Sequence, residues 1–145
     1  MVTGADDPYG LQRFADAQDQ ASTYDHALQE LRAGRKTSHW MWFVFPQLAG
    51  LGSSAMARSY AIGSPAEAKA YLDHPVLGPR LLESARALLG HSGISAREIL
   101  GEVDAMKLRS SMTLFGRAAP GEPLFQSVLD RFFGGSADPE TERRL

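Results

Sequence analysis

Both tryptophans of the chain, Trp40 and Trp42, fall in one run, Ser38-His39-Trp40-Met41-Trp42-Phe43-Val44-Phe45-Pro46-Gln47, together with Phe43 and Phe45. A block this apolar has to lie against a core or wall a binding site. Pro46 disfavours helix at Phe45, so the run forms a short helix or an extended segment. Polar residues stand at both ends: Arg35, Lys36 and His39 before it, Gln47 and the turn Gly50-Leu51-Gly52-Ser53-Ser54 after it. An apolar platform between a cation and a small-residue loop suits a planar or anionic ligand. It equally suits a core anchor with solvated ends, and the two readings stand side by side.

Around this run the periodicity is helical. Leu11, Phe14 and Ala15 carry a stripe after Asp7-Pro8. Ser22 or Thr23 is placed to cap a helix whose inner side is Ala27, Leu28 and Leu31 and whose stop is Gly34. Ser53 is placed to start a helix through Tyr60. Ser64-Pro65-Ala66-Glu67 joins a cap, a proline at the first helical position and a glutamate at the third, and His74-Pro75 closes that helix. Leu77, Leu81, Leu82, Ala85, Leu88 and Leu89 fit a helix ending at Gly90. Ser95-Ala96-Arg97-Glu98 is a second capping-box pattern, opening a short helix to Leu100. Helices follow over 103–115 and 124–133, and Asp138-Pro139-Glu140 opens a last turn. The Trp-rich run alone resembles a strand, and a lone strand has no partner. The sequence therefore predicts an all-α, single compact multihelical domain over 1–145, with 1–6 and 142–145 frayed.

Composition narrows the classes of function. With 145 residues, 43% apolar and 22% charged, the chain is globular and long enough for a sizeable core. A net charge of −2 supplies no overall field for nucleic acid or an anionic membrane. The absence of cysteine excludes disulfides, thiolate nucleophiles and cysteine zinc sites, and is compatible with a reducing compartment. The longest apolar run, Trp40 to Phe45, is far short of the ~20 residues that cross a bilayer. The acidic start Met1 to Pro8 lacks the regions of a signal peptide, so the cytoplasm is the expected location. No cofactor is implied, and nothing favours one oligomeric state.

Two places can carry chemistry. His39, beside the aromatic run, is a candidate general acid or base, against the plainer reading that it bonds the edge of the block. His26, His74 and His91 show no metal-ligand spacing, so no metal site is expected. Glycines before a helix can bring amides to an anion, but a tight turn with a serine cap explains Gly50 to Ser54 better. On the helix over 103–115, Asp104, Lys107 and Ser111 share one face beside Leu108, Met112 and Phe115. A helix that apolar lies deep, so its Asp–Lys stripe is either partly buried or an ordinary surface pair.

The string Gly34-Arg35-Lys36-Thr37-Ser38 through Pro46-Gln47 resembles the hallmark of a bacterial family catalogued as domain of unknown function 1810. Gly50 to Ser54, Tyr60-Ala61-Ile62, Tyr71-Leu72-Asp73-His74-Pro75 with Leu77-Gly78, and Lys107 with Ser110 to Phe115 match in order and spacing. The resemblance spans roughly Asp7 to Thr141. It implies a small all-helical protein and no established activity. Some members carry the label calpastatin, but that inhibitor is disordered and this composition is not. The segment 101–106 reads helical here, where the family is more loop-like.

Two functions fit. In the first, the protein binds a small anionic or nucleotide-like ligand, or processes it. Lys36, Gln47, Gly52, Ser53 and Ser54 then approach Lys107 and Ser111, Trp40 and Trp42 wall the pocket, and His39 and Asp104 are the catalytic candidates. In the second, the Trp block is core and the chain is a non-catalytic helical interaction module or homodimer. Convergence of the polar residues on one site separates the two.

Overall fold

The computed structural model describes residues 7–145. The expected fraying of 1–6 lies outside them. In chain order the helices are α1 (Gln12–Asp19), α2 (Thr23–Ala33), α3 (Met41–Val44), α4 (Ala55–Ser59), α5 (Pro65–Asp73), α6 (Leu77–Leu89), α7 (Ala96–Leu100), α8 (Glu102–Ala118), α9 (Leu124–Phe133) and α10 (Pro139–Arg144), with a 3-10 turn, Gln20–Ser22, after α1. Among the described residues the β pairing is an isolated parallel bridge, Leu48 to Ile62. The fold is all-α, and no helix among these residues is long and apolar enough to cross a membrane.

Local chemistry sets most helix starts. The Glu67 amide donates to Ser64 Oγ, and Ser95 and Glu98 close a full capping box. The Thr141 amide donates to Asp138, which opens α10. Residues 142–144, part of the segment 142–145 expected to fray, lie within α10, and Glu142 pairs with Arg117 of α8. Two caps differ from expectation. Ser54, not Ser53, accepts from the Ala57 amide at α4. Neither Ser22 nor Thr23 caps α2, because Ser22 sits at φ 57° with its side chain unused and Thr23 Oγ1 donates back to the Gln20 carbonyl.

α8 runs through the middle, in contact with α5, α7, α9 and α10. Its buried side is Ala105, Leu108 and the run Ser110 to Phe115. Aromatic rings link the layers: Phe14 meets Tyr71 edge-on at 5.2 Å, Tyr71 meets Phe115 at 5.3 Å, and Phe115 meets Phe125 at 5.9 Å. Burying each such ring contributes about 1.5–3 kcal/mol.

The Trp-rich run resolves into one helical turn, α3, with Trp40 and Phe45 in non-helical conformations at its ends. So short a helix leaves its carbonyls without helical partners. At the Phe43 carbonyl two buried groups take over: Gln18 Nε2 of α1 donates at 2.8 Å and the Tyr71 hydroxyl of α5 at 3.3 Å. Arg13 of α1 holds the next stretch, donating to the carbonyls of Ser59 and Ala61 and pairing with Glu67. The expected core role of the run holds for Trp40, Met41, Val44 and Phe45, all buried, whereas Trp42 and Phe43 are half-buried.

Candidate functional site

The loop between α2 and α3 carries Lys36 and Trp40, and Glu30 on α2 shapes it. The Glu30 carboxylate accepts from the Thr37 and Ser38 amides, from Ser38 Oγ at 2.6 Å and from Trp40 Nε1 at 2.9 Å. Burial would raise its pKa, but these four donors outweigh it, Ser38 Oγ first, and hold the carboxyl at about 2. The Lys36 amide donates to the Ile99 carbonyl at 2.8 Å, which ties the loop to the C-terminal end of α7.

α7 turns at Gly101 directly into α8, and this brings the first turns of α8 beneath the loop. Lys36 Nζ lies 2.9 Å from Asp104 Oδ2, and Lys107 Nζ lies 3.7 Å from Asp104 Oδ1. The three side chains are 10%, 19% and 24% exposed in the order Lys36, Asp104, Lys107. Each ammonium also faces an indole: Lys36 stands 5.2 Å from the Trp40 ring and Lys107 5.1 Å from the Trp42 ring. Two cations therefore share one carboxylate between two tryptophans. Among the described residues, Trp42 Nε1 and Ser111 Oγ are buried polar atoms without a hydrogen-bond partner. Both flank Lys107, Trp42 by its ring and Ser111 one turn along α8.

Five of the residues singled out in the sequence, Lys36, Trp40, Trp42, Asp104 and Lys107, thus form one cluster, with Ser111 at its edge. The others stand apart in their bonding. His39 is exposed, and no hydrogen bond or ion pair among the described residues joins it to the cluster. Gln47 pairs through its backbone carbonyl with the Ile62 amide. Gly52 packs against Ala57 so closely that an added Cβ would lie 2.5 Å from its Cβ. Ser53 offers its carbonyl to Arg58, and Ser54 is spent on the α4 cap. The Gly50 end of this turn lies against Arg144 of α10.

Three surface hollows lie elsewhere. One of about 560 Å³ runs between α2 and α6, lined by Arg32, Arg80, Glu83 and Arg86. The second, about 490 Å³, lies by Leu89 and Arg131, and the third, about 340 Å³, between α8 and α9 by Met112, Arg117 and Gln126. None of the three contains a residue of the cluster. No group of three or more metal-ligating side chains is gathered among the described residues.

The residue that sequence reading missed is Glu30. Its signal was a carboxylate in the last turn of a helix, where the dipole disfavours negative charge. Such a residue needs another reason to be there, and a following tryptophan needs an acceptor for its indole N–H.

With this geometry in place, a family model described as protein of unknown function (DUF1810) matches residues 8–145. The chain belongs to the DUF1810 family. A conserved hypothetical protein of this fold from Mycobacterium tuberculosis, Rv1873, has a crystal structure that superposes with a TM-score of 0.93 at 50% identity. The match covers 96% of this chain and 98% of that one. Among curated proteins none matches the chain. The DUF1810 relationship thus establishes family and fold, and the chemistry has to be argued from the cluster itself.

Proposed function

We propose that this DUF1810 protein binds a small anionic ligand, nucleotide-like in joining a negative charge to a planar group, at Lys36, Asp104 and Lys107 beside Trp42. The observation that carries this reading is the sharing of one carboxylate by two partly buried ammonium groups. Within the cluster one positive charge lacks a counter-charge, and partly buried charge is costly unless compensated. Lys36 holds the short contact to Asp104, so Lys107, at 3.7 Å, is the cation that turns to a ligand. The N–H of Trp42, without a hydrogen-bond partner of its own, lies beside it, and Ser111 is buried one turn further along α8. The half-buried indole of Trp42 offers a surface for stacking a planar group. In this arrangement Asp104 orients the two lysines. Both its oxygens are engaged, which argues for a positioning role over proton transfer. Cytoplasmic residence is part of the same proposal.

The test is thermal shift together with tryptophan fluorescence, using inorganic phosphate, AMP and ADP-ribose. A binding anion raises the melting temperature, by about 2.7 kcal/mol of added stability at a hundredfold excess over Kd. Lys107→Met should remove that rise while changing the unliganded melting temperature little, since Met keeps an apolar stem against Trp42 and Asp104 keeps its shorter pair with Lys36. If no anion of the panel shifts the transition, or if Lys107→Met responds as the wild type does, the reading is wrong.

A further inference from the structure

We infer, resting on the anion-binding reading above, that the ligand is an amphipathic monoanion. Its head, a carboxylate or a phosphodiester, sits on Lys107 and the Trp42 N–H, and its apolar or aromatic body lies along Val103 and Met106 on the outer face of α8.

Val103 and Met106 are 66% and 68% exposed, whereas the other exposed large hydrophobic residues lie between 37% and 40%. Two such side chains together are unusual on a helix whose remaining apolar residues are largely buried. Their place is tied to the cluster by helix geometry. At about 100° per residue, Val103 lies about 60° from Met106 and about 40° from Lys107. The order around α8 is therefore Met106, Ser110, Val103, Lys107, Ser111, Asp104, with Ser110 and Ser111 buried a turn further along. Val103 is one turn from both Met106 and Lys107, so the exposed apolar pair adjoins the cation, with the unpartnered Trp42 N–H beside it. A molecule that covers the pair places any polar end of its own at Lys107.

Charge sets the number of negative groups. Lys36 and Lys107 against Asp104 leave one positive charge in the cluster. Glu30, the next carboxylate, is engaged by four donors of its own loop. A second negative charge on the ligand would have Asp104, already shared by the two lysines, as its neighbour. One charge is matched, and a second finds no further cation in the cluster, so it adds nothing to binding. The apolar pair and this charge balance together favour an amphipathic monoanion over a second protein chain, which would bring many charges to a small patch.

The experiment uses four probes in calorimetric titrations of the whole chain: octanoate, acetate, octanol and octyl phosphate, the alkyl probes below their micelle concentrations. Octanoate should bind at least about tenfold more tightly than acetate, the effect of burying two or so methylenes. Octanoate should also exceed octanol, which lacks the charge, and octyl phosphate, which carries more of it, should bind no more tightly than octanoate. Val103→Ser/Met106→Ser alters two exposed positions and should leave the circular dichroism and melting temperature near wild type. It should weaken octanoate at least about tenfold and leave the response to acetate and inorganic phosphate, which have no apolar body, unchanged. If octanoate and acetate bind alike while phosphate or AMP still binds, the anion site survives and the amphipathic assignment falls. If no anion binds, both fall. A wild-type dimer by light scattering that the double variant converts to monomer would make the pair part of a subunit interface and overturn the proposal.

Discussion

At the scale of single residues, Glu30 controls how the Lys36 loop is held. Its carboxylate, kept at about 2 against an ordinary 4.5, is stabilised as the anion in the folded state. That contribution is complete above pH ~4.5 and is lost as pH falls through the folded value. Glu30→Gln keeps an acceptor but loses the charge. It should destabilise the fold at pH 7 by about 1–3 kcal/mol, and urea unfolding curves of variant and wild type should converge between about pH 4.5 and 2. A constant gap across that range would show that the charge is not what matters. Lys36 and the tryptophans were legible because they stand together in one short run, and Lys107 because it falls one helical turn from Asp104. The partner that binds Trp40 was not, since nothing in the local pattern says which carboxylate the indole N–H will reach.

At the scale of elements, the helix starts at Ser64, Ser95 and Asp138 were legible because each cap is built within four residues. The α3 run was legible only as a short helix or an extended segment, because its carbonyl is satisfied from α1 and α5, far away in sequence. The same contrast marks the corner between α5 and α6. A Cβ added at Gly78 would lie 2.0 Å from the Leu72 carbonyl oxygen, so α6 can begin there only without a side chain. The corner is sealed by His74 Nδ1, which accepts from the Val76 and Leu77 amides. Gly78→Ala should force the two helices apart and cost about 1–3 kcal/mol in urea unfolding. A variant as stable as the wild type would mean that the corner yields freely.

At the scale of the whole molecule, α8 joins the two ends of the chain's chemistry. It presents Asp104 and Lys107 to the loop at one end, and at the other its Arg117 pairs with Glu142 of α10. With one buried cluster running from Leu11 to Leu129, unfolding should be a single event. Far-UV circular dichroism reports all the helices, while tryptophan emission reports only the neighbourhood of α3. The two melting curves should coincide, and calorimetric and van't Hoff enthalpies should agree. Separate transitions would divide the chain into independent units. The helical class was legible from periodicity summed over many segments. The depth of the helix over 103–115 was legible from its apolar circumference, whereas the helices it packs against were not, because packing partners lie far apart in sequence.

The paired donors at the Phe43 carbonyl have a consequence for how such sequences drift. Gln18 and Tyr71 each satisfy the same oxygen, so either can be lost while the other remains. Once one is gone, the survivor is locked in place, because a second loss strands a buried carbonyl at about 1–3 kcal/mol. Tyr71→Phe and Gln18→Leu should therefore be milder alone than together, and a double-mutant cycle should give a combined cost above the sum of the singles. Lineages that took the two routes could no longer exchange these residues without harm, although each would carry a chain folded in the same way.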